Sequence, residues 1–99
     1  MRLAMIIGIL EIKLHAPYVH SLKEKRMIVR SITAKLKNTF NISVCETTEQ
    51  DIHQIIVIGI AALASHSAAC DSILDQIIDY VEEHCEAEII DIDRTTSQF

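Results

Sequence analysis

Apolar residues along this chain switch between two spacings, and that switching limits the fold more than any single motif. Met5–Leu14 is rich in Ile and Leu, with no helix cap before it. Ile6, Leu10, Ile12 and Leu14 share one face at a period of two, and Met5, Ile7, Ile9, Glu11, Lys13 and His15 share the other. This is a first strand ending near His15. Ala16-Pro17-Tyr18-Val19 connects onward, because Pro17 has no N–H and restricts the residue before it. Ser21-Leu22-Lys23-Glu24 then reads as a capping box, with the Ser21 hydroxyl accepting from the Glu24 amide and the Glu24 carboxylate reaching back to Ser21. It predicts a helix over Leu22 to Thr39, apolar along Leu22, Val29, Ile32, Leu36 and Phe40.

The period returns to two at Phe40–Thr47, a half-buried strand with Phe40, Ile42 and Val44 inward. Polar Glu46–His53 supplies a hairpin turn around Glu49-Gln50-Asp51, and Gln54–Ala64 is a strand apolar on both faces. Gly59 inside it signals a bulge or a close backbone approach. Ser65-His66-Ser67 caps a second helix over Ala68–His84, with Cys70, Ile73, Leu74, Ile77, Ile78 and Val81 facing the core. Glu88–Arg94 is a last strand and Thr95–Phe99 a frayed tail. The order β-α-β-β-α-β predicts an α+β, ferredoxin-like fold, a four-stranded antiparallel sheet under two helices. Residues 1–99 form a single domain on this reading.

Composition narrows the class. The chain is 49% hydrophobic with a net charge of −5, which argues against disorder. The longest apolar stretch, Ile55–Ala64, is about half of a membrane span, and no signal peptide is visible. The expected compartment is the cytoplasm, with no membrane partner. Cys45, Cys70 and Cys85 are widely spaced without a CxxC, and read as small apolar residues.

Charge is uneven. Residues 1–45 hold eight Lys+Arg against two acids, whereas 46–99 hold Arg94 against twelve acids. Lys23, Arg26, Arg30 and Lys37 form a basic stripe on the first helix, with Lys25 and Lys35 beside it. Such a stripe follows a phosphate backbone, and the helix start adds amides and partial positive charge beside Lys23 and Lys25. The alternative is that the stripe is merely solvated, or pairs with Asp71, Asp75 and Asp79 of the acidic second helix.

His15, His20, His53, His84 and Cys85 all approach one edge of the expected fold. They are zinc-type ligands, but their spacing enforces no common point, so separate surface groups are expected and no metal or cofactor. No GxSxG, P-loop, GxGxxG or HExxH occurs, and Ser21 serves better as a cap than as a nucleophile. An enzyme is not expected.

His15-Ala16-Pro17-Tyr18-Val19-His20-Ser21-Leu22-Lys23-Glu24-Lys25-Arg26, Phe40-Asn41-Ile42-Ser43-Val44-Cys45-Glu46, and Asp51 with Gln54 together resemble the bacterial YlxP-like family of unknown function, over about residues 3–94. The resemblance implies a ferredoxin-like fold, a small cytoplasmic protein, and genes lying near those for ribosome maturation and translation initiation factors. Members of that family often carry an acid at the position of Tyr18, an aromatic at that of His53, and basic residues on the second helix. Here the second helix is acidic, so an RNA surface would rest on the first helix alone.

The resulting expectation is a non-enzymatic binding protein associated with RNA, the ribosome or translation through Lys23, Lys25, Arg26, Arg30 and Lys37; DNA is not expected. The alternative is a homodimeric interaction module without nucleic acid. A homodimer is expected through the sheet face that helices leave open, with Met5, Ile7, Ile9, Ile55, Val57 and Leu63 on it.

Overall fold

The computed structural model describes residues 5–48 and 52–99. Its elements run β1 (Ile6–His15), α1 (Leu22–Thr39), β2 (Ser43–Glu46), β3 (Ile55–Ala64), α2 (Ser67–His84) and β4 (Glu88–Gln98). The four strands form one antiparallel sheet in the order β2-β3-β1-β4, the ferredoxin-like arrangement that the alternating periods predict. The hairpin turn expected at Glu49-Gln50-Asp51 lies outside the described residues.

The helices cover one face of the sheet. Leu10, Ile12 and Leu14 of β1 and Ile56, Ile58 and Ile60 of β3 point beneath them, joined by Ile32 and Leu36 of α1 and Cys70, Leu74, Ile77 and Val81 of α2. α2 approaches β1 closely at Gly8, where a Cβ would stand 2.6 Å from Cys70 Sγ and 3.0 Å from Leu74 Cδ1. The helices meet near their C-terminal parts. Lys35 Nζ donates to the His84 carbonyl at 3.4 Å, and the Phe40 ring meets Tyr80 edge-on at 5.6 Å.

Several local details differ from the sequence reading. β4 does not fray after Arg94: it continues to Gln98 opposite Ile6, and Phe99 exchanges backbone bonds with Met5. Its outer part is exposed on both faces, so backbone pairing rather than alternating burial holds it. Gly59 marks a close approach and no bulge, since β3 keeps unbroken register with β1 and β2 while a Cβ there would strike Thr47 Cγ2. The register shift falls instead in the β1–β4 pair, between Lys13 and Leu14. In α1, Ser21 Oγ accepts from the Glu24 amide at 3.2 Å as a capping box requires, but the Glu24 carboxylate accepts from His20 N–H, one residue earlier than expected. His66 caps α2, its Nδ1 accepting from Ala69 N–H. No helix among the described residues is long and apolar enough to cross a membrane.

Candidate functional site

α1 presents its basic residues in two different ways. At about 100° per residue, Lys23, Arg26, Arg30 and Lys37 fall within a strip about 60° wide, opposite the buried Ile32 and Leu36. All four are exposed. Among the described residues no carboxylate lies within 4.0 Å of any of them. The strip spans about 21 Å along the axis at about 1.5 Å per residue.

Lys25 does not belong to it, which corrects its placement among the exposed basic groups. It stands two turns before Ile32, in the same buried sector, and is 1% exposed. Its ammonium forms a 2.8 Å ion pair with Glu46 on β2 and donates to the Ile52 carbonyl at 2.8 Å. Lys25 therefore ties α1 to the segment joining β2 and β3. The helix start is also less open to a phosphate than its free amides suggest, because the Glu24 carboxylate already sits there.

The acids of α2 do not neutralise the strip. Asp75 and Asp71 hold Arg94 of β4 instead, at 2.6 and 3.5 Å, and the guanidinium also donates to the Asp71 carbonyl. Its hydrogen bond to Asp75 pushes the Arg94 pKa further up. These contacts fasten β4 under α2 and leave the α1 strip without an acidic partner from that helix.

Beside the strip, a cleft of about 220 Å³ opens between α1 and the end of α2. Met27, Ile28, Ser31, Ile32 and Lys35 form the α1 wall; His84, Cys85 and Glu86 form the other. The His84 ring stacks on Tyr80 with centroids 4.0 Å apart. Its Nδ1 lies 3.0 Å from the Tyr80 carbonyl, which can only accept, so Nδ1 donates to it. Burial raises the Cys85 thiol pKa; the Ala87 amide and Lys35 pull it back, and Glu86 adds to the rise. Burial likewise raises Tyr18, with Glu86 and Cys85 contributing. The sequence reading placed Lys35 only beside the stripe and did not find the cleft, because no periodicity reveals how far two helices are offset.

Among the described residues, no three His, Cys, Asp or Glu side chains gather as metal ligands would.

The open sheet face is divided. Near the β1 start it is apolar: Met5, Ile9 and Leu63 are exposed, at 48%, 51% and 61%, and Ile7 is half-buried. Towards the β1 end, Glu11 stands opposite Asp93 and Lys13 opposite Asp91. Ile55 is half-buried there. Val57, expected on the uncovered side, is only 3% exposed; Thr47, the residue after β2, lies beside it and donates its N–H to the Val57 carbonyl.

A likeness to a de novo designed protein, Foldit4, extends over 94% of this chain and 96% of that one, with a TM-score of 0.54 and 9% identity, and concerns the fold alone. The Uncharacterized protein YlxP of Bacillus subtilis (strain 168) is 34% identical over 68 residues, 69% of this chain and 74% of that protein. The profile described as "Protein of unknown function (DUF503)" matches residues 7–94. With that match across β1 to β4 and a relative at this identity, the chain belongs to the DUF503 family.

Proposed function

We propose that this protein is a non-enzymatic, cytoplasmic binding protein that contacts single-stranded RNA, free or within the ribosome, through the exposed strip of α1. One observation carries the reading: Lys23, Arg26, Arg30 and Lys37 share one solvent-facing strip, with no carboxylate in ion-pair range among the described residues. Phosphates neutralised by such a row of cations release the strand's condensed counterions, and that release supplies affinity. The gene neighbourhood implied by the YlxP-like resemblance points the same way.

The test is binding of fluorescent oligoribonucleotides over a salt series. About four contacts to a single strand give a log–log slope near −3, at roughly −0.7 per contact. The triple variant Lys23→Glu, Arg26→Glu, Arg30→Glu should lose binding while keeping its urea midpoint, because it breaks no ion pair among the described residues. Absence of binding at low salt would refute the reading. It would favour the second one, a homodimeric protein-interaction module, whose support is the apolar half of the open face around Met5, Ile7, Ile9 and Leu63.

A further inference from the structure

We infer that the cleft between α1 and the end of α2 is a base pocket, taking one unpaired guanine of the strand held by the α1 strip. The inference rests on the RNA reading and adds a ligand to it.

Position comes first. Met27, on the cleft rim, lies about 40° around the helix from Lys23 and about 60° from Arg30 at 100° per residue. Ser31 and Lys35, deeper in the cleft wall, lie about 80° and 120° around from Lys23 on the same side, so a base of a strand held on the strip enters the cleft only by turning around the helix past Met27. Size comes next. The cleft, at about 220 Å³, equals about seven water volumes of about 30 Å³ each. That suits a single heterocycle.

The walls then select the chemistry. His84 lines the cleft and is braced from behind by Tyr80, itself held edge-on by Phe40. This fixed aromatic column offers a ring face for stacking. Phosphate is disfavoured inside: the C-terminal end of α2 carries partial negative charge, and Glu82, Glu83, Glu86 and Glu88 surround it in sequence. A neutral base that turns hydrogen-bond donors towards this acidic end is favoured instead.

Guanine offers two adjacent donors, N1–H and N2–H, which one carboxylate such as Glu86 accepts together. Its O6 and N7 acceptors match Lys35 and Ser31 on the opposite wall; Lys35 spends one of three ammonium hydrogens on the His84 carbonyl. Adenine and cytosine each set a donor beside an acceptor on that edge, and uracil has one donor between two acceptors. None of them satisfies a carboxylate twice.

Two measurements test this. Titration of the isotope-labelled protein with guanosine monophosphate should shift the amide signals of Ser31, Lys35, His84 and Glu86, and adenosine monophosphate should not. An oligouridine with one central guanosine should bind about tenfold more tightly than one with a central adenosine, within the range that a good bidentate base contact supplies. Glu86→Gln should erase that preference and leave oligouridine affinity within about twofold. Ser31→Ala should weaken it. Equal affinity for every central base, with no shifts from guanosine monophosphate, overturns the pocket and leaves the strip reading standing. No binding of any oligonucleotide at low salt overturns the strip reading and the pocket with it.

Discussion

Replacing Lys25 by Met should destabilise this protein far more than a change on an apparently basic helix face would suggest. Met keeps the stem length, so little cavity forms, and the loss isolates the ammonium. Two contacts of 2.8 Å disappear, one to Glu46 and one to the Ile52 carbonyl. Removing one partner of a buried pair costs about 3–5 kcal/mol. The Glu46 side chain retains 17% of its exposure, which lets water screen its carboxylate, and Ile52 is exposed. A loss of about 2–3 kcal/mol is therefore expected, lowering the urea midpoint by roughly 1.5–2 M at a slope near 1.5 kcal/mol per M. The double variant Lys25→Met, Glu46→Leu removes both charges and should lose under about 1 kcal/mol, giving a coupling near 2 kcal/mol. Urea unfolding followed by circular dichroism completes the cycle. Additive single effects, or a Lys25→Met variant as stable as the parent, would refute the reasoning. The same variant also separates structure from function. At a temperature where it is fully folded, Lys25→Met should keep its RNA affinity and salt slope, because its ammonium lies under the helix and not on the strip.

Gly8→Ala should cost about 1–3 kcal/mol by pushing α2 off β1, and Cys70→Ala in the same chain should recover part of it; equal stability of Gly8→Ala and parent would contradict the close approach. Folded Cys85 and Tyr18 hold their protons more tightly than the unfolded chain does, so stability should be full below the unfolded thiol value of about 8.5 and fall as pH rises past it. Comparing urea midpoints on either side of that pH should show the fall, and Cys85→Ala should reduce it. Ile9→Glu with Leu63→Glu should convert the proposed open-face dimer to monomer by light scattering at micromolar protein; a parent already monomeric there refutes the dimer.

The residues that were legible in the sequence are those whose local chemistry and burial agree. α1 begins and ends where the sequence places it, because Ser21 and Glu24 cap an uninterrupted helical period. The inward faces of β1 and β3 follow from strict alternation above a single covered side. β4 beyond Arg94 was illegible because an edge strand exposed on both faces has no apolar alternation to read; its partner in β1 decides it. Lys25 was misplaced for a different reason. Its charge suggested water, yet its spacing from Ile32 already put it in the core sector. The acceptors that make that position tolerable, Glu46 and the Ile52 carbonyl, are more than twenty residues away along the chain. Val57 likewise gave no local sign that it would be buried on the open face.

A net charge of −5 does not argue against an RNA ligand once the charges have positions. Asp71 and Asp75 are engaged by Arg94, while Asp79, Glu82 and Glu83 remain exposed along α2 and Asp91 and Asp93 along β4. A polyanion approaching those elements is repelled, whereas α1 offers four exposed cations. On the proposed reading the acids would restrict the orientations in which a strand docks, at the cost of a lower overall attraction. The proposed dimer bears on the same strip. Copies joined through their open sheet faces keep the helix layers outside, so each α1 strip remains accessible and the two point away from one another. A short strand then reaches one strip only. A longer RNA able to pass around the sheet layers reaches both, and its second contact becomes intramolecular. Dimerisation should consequently strengthen binding to long RNA and leave short oligonucleotides unaffected, a length dependence that a single combined basic surface would not produce.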